Sequence, residues 1–241
     1  MVLVSMHSHS GEFCSHAQGT LRQVVEAAVE KGFTHYGLSE HMPRFRTQDL
    51  YPEEQHLSVK DLMRIFDAYV LEARKLQEEF KDRIKLLVGM ESEFIYPEMA
   101  EDIQRLRNSY QLDYIVGSVH HVCNGMPMDF DLPGYEKCIE KSGSEEDMFC
   151  DYFDAQYTLM AHIQPEIIGH FDLCRLGRPL MTTFSEKVWS KIKRNIDYGI
   201  SYGALFEINA SAYKIGLSDA YPVRNILRVC IYCCGYSTET S

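Results

Sequence analysis

No stretch of this chain approaches the ~20 consecutive apolar residues that span a bilayer, and its opening "MVLVSMHSHS" has neither a basic region nor a long apolar core. The expectation is therefore neither a membrane span nor a secretory signal. A second CxxC pair is also missing. The eight cysteines fall at irregular spacings, which without a leader reads as reduced thiols in a cytoplasmic protein and not as a disulfide framework. The densest group, Cys230, Cys233 and Cys234, lacks a second pair to complete a metal site, and we read it as incidental. Positive charge is scarce. The 24 lysines and arginines face 35 aspartates and glutamates, for a formal net charge of −11. That balance opposes nucleic-acid backbones and anionic lipid as partners. It leaves small anions open, because bound cations reverse the local field.

What is present fits one globular domain. At 241 residues the chain can bury a sizeable core, and 45% hydrophobic with 24% charged residues is an ordinary soluble composition. Apolar runs at 2–4, 33–41, 84–94, 112–121, 166–173 and 204–211 read as strands. Between them, segments 20–32, 58–80, 98–110, 145–163 and 184–199, and a last one at 221–235, carry helical periodicity. Thr20 and Ser58 are the expected N-caps, with Asp61 completing a capping box. Alternating strands and helices predict βα units on a mainly parallel sheet.

The chemistry lies where the strands end. Their ends carry His7 and His9, Glu40 and His41, Glu91 and Glu93, His120 and His121, His170 and Asp172, and Glu207 and Asn209. In parallel βα folds the carboxyl-terminal strand ends share one face, which carries the active site. A single histidine such as His35, His56 or His162 is more often a surface or core residue than a ligand. Six such pairs, each closing a separate apolar run, are another matter. Burying that many ionisable groups without a cation is costly. Imidazole and carboxylate are ligands of Zn²⁺, Mn²⁺ and Fe²⁺, and clustered ions of this kind suit phosphate-ester hydrolysis.

The segments "HSHSGEFCSHAQGT", "GLSEHMPR", "GMESEF", "GSVHH", "GHFDLCR" and "EINASAYKIGL" together resemble the PHP (polymerase and histidinol phosphatase) family, most nearly its histidinol-phosphatase branch. The resemblance implies an α/β fold, a distorted (β/α)7 barrel with a trinuclear metal site. It implies that His7, His9 and Glu91 hold the first metal, that Glu91 bridges to a second completed by His120 and His170, and that His16 and His41 hold a third. Of these, His7, His9, Glu91, His120 and His170 would be catalytic. Glu93 would not be a ligand, and His121 would be a substrate contact or an outer support. Arg175, Lys214 and Arg44 would hold phosphate. Lys214 stands where the family usually has arginine, and lysine keeps the charge but loses the bidentate fork. The implied substrate is a small phosphate ester, L-histidinol phosphate, and the implied cofactors are two or three divalent ions (Zn, Mn or Fe).

The family's closing Asp-x-His motif is missing, since no histidine follows His170. The expectation is thus a single domain over 1–241, cut to about six βα units, with an atypical tail at about 229–241. The first and third metals would each be one ligand short. Another PHP phosphoesterase, or a metal- and phosphate-binding chain with impaired turnover, is the competing expectation.

Overall fold

The computed structural model describes residues 2–123, 125–178 and 180–233. They form two compact units, one within 1–93 and 101–116, the other within 94–100 and 117–241.

The first unit alternates strand and helix: β1 (Val4–Ser5), α1 (Leu21–Glu30), β2 (His35–Leu38), α2 (Val59–Glu79), β3 (Lys85–Ser92), α3 (Met99–Tyr110) and β4 (Tyr114–Gly117). Its strands lie in the order β1-β2-β3-β4. β1 pairs with β2 and β2 with β3, both in parallel. The capping boxes are present: the Thr20 hydroxyl accepts from Gln23 N, and the Ser58 hydroxyl from Asp61 N. Helix α1 buries Leu21, Val25 and Ala28, and α2 buries Leu62, Phe66, Tyr69, Val70, Ala73 and Leu76. Those three- and four-residue steps are the apolar stripe that a helix lays on a sheet. From Val88 to Ser92 every residue of β3 is buried, as expected of a strand covered on both faces.

The second unit contains β5 (His121–Val122), β6 (Met126–Pro127), α4 (Leu132–Ser142), α5 (Glu145–Ile163), β7 (Ile167–Ile168), α6 (Glu186–Ser201), β8 (Leu205–Phe206), α7 (Ser211–Lys214) and α8 (Arg224–Cys233). β7 and β8 are parallel, and Gly117, the last residue of β4, accepts from Gly169 N just past β7. Six parallel strands are therefore present among the described residues, as the α/β expectation requires.

The strands are shorter than expected. β4 stops at Gly117, and His121 begins a separate antiparallel pair with β6. Helix α4 was not anticipated, because Pro133 and Gly134 fall in its first turn and blur its periodicity. Asp131 caps it by accepting from Gly134 N, and Gly143, at φ 95°, ends it in the left-handed region that favours glycine. All six described cysteine side chains (Cys14, Cys123, Cys138, Cys150, Cys174 and Cys230) are free thiols. Cys234 and most of the expected tail lie outside the described residues. No described helix is long and apolar enough to cross a membrane.

Candidate metal centre

In the first unit the site is built on paired backbones. Beyond β2, Glu91 N donates to Glu40 O and Met42 N to Glu91 O, so the chain at Glu40 and His41 runs in register beside Glu91. Ser8 is held to the same edge, its N–H donating to Ser39 Oγ (3.0 Å) and its hydroxyl to Gly37 O (2.8 Å). Below them the Tyr114 hydroxyl donates to Met6 O (2.8 Å) and Leu38 O (3.2 Å). The tyrosine fits only because Gly37 and Gly89 lack side chains: a Cβ would lie 2.2 Å from its hydroxyl oxygen at Gly37, and 2.5 Å from its ring at Gly89.

Glu91 Oε2 is the centre of this arrangement. It lies 3.2 Å from His7 Nε2, 3.2 Å from His9 Nε2 and 3.1 Å from His41 Nδ1, and its side chain is 1% exposed. His7 Nε2 and His9 Nε2 are 3.1 Å apart. With Zn–N and Zn–O bonds of ~2.0–2.2 Å, ligand atoms around one tetrahedral ion lie ~3.3 Å from each other. The observed spacings match such an edge, so His7, His9 and Glu91 fit a divalent cation with His41 beside them, and the N/O donor set fits Zn, Mn or Fe.

Glu40 was left without a role by sequence reasoning, and the structure gives it one. Its Oε2 lies 3.2 Å from His9 Nδ1, while Oε1 accepts from Ser10 N (2.7 Å) and Ser10 Oγ (2.8 Å). A carboxylate on Nδ1 fixes the tautomer that leaves Nε2 for a metal. Burial would lower the His9 pKa, but its bonds to Glu40 and Glu91 raise it overall. His41 behaves in the opposite sense. Burial dominates and takes it down to about 4, with Glu91 pulling the other way.

His16 sits outermost, its side chain 56% exposed and 3.4 Å from Glu53, with Nε2 3.5 Å from His41 Nε2. Cys14 was also missed, although "FCSH" places it two residues before His16. Its sulfur lies 3.1 Å from His16 Nε2. His9, Cys14 and His41 each offer a ligand atom, all within 4.8 Å of one another. Burial pushes the Cys14 thiol up to about 12, so it is no free thiolate nucleophile.

Glu93, expected not to be a ligand, is fully buried and lies 3.2 Å from His41 Nδ1. Arg44, expected on phosphate, is employed differently. It is 4% exposed, donates to Glu54 (2.9 Å) and Glu93 (3.1 Å), and stacks on Tyr51. Two carboxylates already balance its charge.

The second unit carries its own histidine pair. His120 Nε2 and His170 Nε2 lie 3.3 Å apart, both buried, and His170 N donates to Glu207 Oε2 (2.8 Å), whose other oxygen accepts from Asn209 Nδ2. His121 is buried at the start of β5. Arg175, expected on phosphate, is held by protein groups through Nε and Nη2, while its buried Nη1 has no hydrogen-bond partner among the described residues. It is 0% exposed, and its Nε donates to Asp172 Oδ2 (2.9 Å) while Nη2 donates to the carbonyls of Asp219 and Ala220. This is a clamp between segments, closed to solvent. Burial lifts the Asp172 carboxyl to about 6, against the opposing pull of Arg175. Lys214, by contrast, is exposed on α7.

Parallel strands ending in buried imidazoles and carboxylates define a metal-binding α/β protein of the hydrolase kind. The PHP domain family matches residues 5–211. The "Probable histidinol-phosphatase" of Schizosaccharomyces pombe is 47% identical over 233 residues, covering 95% of this chain and 76% of that protein. A Listeria monocytogenes crystal structure described as a histidinol phosphatase superposes with a TM-score of 0.81 at 20% identity, covering 95% of this chain and 91% of that one. The Lactococcus lactis histidinol phosphate phosphatase, complexed with zinc, L-histidinol and phosphate, gives 0.67 at 18% identity over 97% and 94% of the two chains. The chain belongs to the PHP family, and its fold is the α/β barrel type expected from the sequence.

Proposed function

We propose that the chain is a metal-dependent phosphomonoesterase that hydrolyses L-histidinol phosphate to L-histidinol and phosphate, serving histidine biosynthesis in the cytoplasm. The observation that carries the reading is the convergence of His7, His9 and His41 ring nitrogens on one oxygen of buried Glu91. The names of the relatives supply the substrate, and the zinc of the Lactococcus complex favours zinc among the candidate ions.

In this reading His7, His9 and Glu91 hold one cation and His16 with His41 another, while His120 and His170 supply metal ligands from the second unit. Divalent cations at these positions supply charge against the phosphoryl oxygens and the leaving alkoxide, and acidify the attacking water. The protein's own groups do the rest. Glu40 keeps the His9 proton on Nδ1 and Nε2 turned inward. Glu91 gathers three imidazoles at fixed spacing, so little reorganisation is left for the reaction itself. Lys214 presents an exposed ammonium, a point charge for a phosphoryl oxygen.

The test is phosphate release by the purified chain loaded with zinc, manganese or iron, with L-histidinol phosphate set against other phosphate monoesters. Turnover preferring L-histidinol phosphate is expected. Bound metal without turnover on any ester would favour the binding-only reading.

A further inference from the structure

We infer that the Cys14 thiolate is itself a metal ligand, and that with His16 and His41 it makes the outer cation position of the first unit a sulfur-containing site selective for zinc. The inference rests on the metal-dependent reading above and adds a donor of another chemical class to it.

The geometry carries it. The Cys14 sulfur lies 3.1 Å from His16 Nε2, and that nitrogen lies 3.5 Å from His41 Nε2. Sulfur and the ligand atoms of His9 and His41 fall within 4.8 Å of one another. A tetrahedral zinc with one thiolate at ~2.3 Å and imidazoles at ~2.0–2.1 Å needs S···N edges of ~3.5 Å and N···N edges of ~3.3 Å. The side chains already stand close to that figure. His9 and His41 lie face to face, and His16 stands edge-on to both.

The loop is shaped to keep the sulfur there. Cys14 N and Phe13 N both donate to Ser10 O, and Ala17 N donates to Cys14 O, which folds residues 10–17 back over the strand end. Glu12 anchors the same loop by accepting from Leu21 N at the start of α1 (2.9 Å). Cys14 is 7% exposed, so its sulfur faces the histidines and not solvent. A soft thiolate discriminates against magnesium, calcium and manganese, which prefer oxygen, and in favour of zinc. His7 and Glu91 contribute only nitrogen and oxygen, so the cation beside them is less strictly selected than this one.

X-ray absorption at the zinc edge of the intact, zinc-loaded protein tests the inference. The expected spectrum contains a sulfur shell at ~2.3 Å beside the nitrogen and oxygen shells, and Cys14→Ser removes it. The cobalt-loaded protein should show a thiolate-to-cobalt charge-transfer band that C14S lacks. Zinc affinity of C14S should fall at least ~10-fold, the lower end of what loss of an outer-shell partner costs, while manganese affinity changes less. Nitrogen and oxygen shells alone in wild-type protein, or a sulfur shell that survives in C14S, would overturn the thiol ligand and leave the metal-dependent reading standing. Failure of the wild-type chain to retain any metal would overturn both. The wild-type spectrum decides even if C14S does not fold.

Discussion

The imidazoles of His9 and His41 lie 4.4 Å apart between ring centroids and 10° from parallel, yet they hold protons oppositely. The Glu40 and Glu91 bonds raise the pKa of His9 against the larger effect of burial, whereas burial takes His41 down to about 4. Of the two stacked rings, neutral His41 can bind a cation without losing a proton, whereas the proton that His9 retains must leave when a cation enters.

Acid should therefore destabilise the metal-free protein in a defined window. A histidine whose folded pKa lies below its unfolded 6.5 binds fewer protons when folded, so stability is lost as pH falls from 6.5 towards 4. The His41 contribution is on the order of 3 kcal/mol. The raised His9 acts the other way, stabilising the fold as pH falls towards 6.5. The Asp172 carboxyl, raised to about 6, works against this loss below pH 6, so the readout is the urea midpoint of wild type minus that of His41→Asn, measured in chelator, and it should fall from pH 6.5 towards 4. His41→Asn should flatten the acid limb, and an unchanged limb would refute the assignment.

Glu40→Gln should weaken metal binding more than it weakens the fold. The amide can still accept from Ser10, but it no longer favours the Nδ1–H tautomer of His9. A roughly 10- to 100-fold loss of metal affinity is expected, read by competition with a chromophoric chelator. A variant that binds metal as tightly as wild type would remove Glu40 from the site.

Tyr114→Phe deletes a hydroxyl that two buried carbonyls use, Met6 O and Leu38 O. About 1–3 kcal/mol of stability should go with it. Because those carbonyls lie under His7 and His41, metal retention should fall too. Thermal melts with and without zinc check both.

Arg175→Met should behave as a folding variant. It leaves Asp172 charged and buried without its partner, which costs about 3–5 kcal/mol. Pairing it with Asp172→Asn should restore much of the loss. If Arg175 held phosphate, KM would rise in the double variant at full stability; an unchanged KM is the expected result.

Removing metal should abolish phosphate release and readdition should restore it. Dialysis against a chelator, then titration with zinc or manganese, measures how many ions per chain recovery requires.

Much of this was legible in the residues. The N-caps at Thr20 and Ser58 and the Ser58 capping box are local chemistry, and they appear where expected. His7 and His9 stand two apart and both meet Glu91, although β1 ends at Ser5 and neither lies in a strand. What could not be read was how charged groups are shared out. Arg44 and Arg175 carry the charge a phosphate needs, and no local pattern shows that carboxylates pair with them in three dimensions: Glu54 and Glu93 with one, Asp172 with the other. Glu40 reaches His9 across 31 residues, a pairing no local pattern encodes. Helix α4 escaped notice because its periodicity opens on proline and glycine.

The socket that Gly37 and Gly89 make for Tyr114 ties interior volume to the pitch of the ligands. Adding even a methyl group at either glycine would displace the Tyr114 ring, and with it the hydroxyl that bonds Met6 O, next to His7, and Leu38 O on the strand leading to His41. Shrinking Tyr114 would not make room, because an added Cβ would still lie 2.8 Å from Met6 Cα at Gly37 and 2.6 Å from the residue 114 carbonyl oxygen at Gly89. Both positions are therefore held to glycine by backbone as well as by the tyrosine.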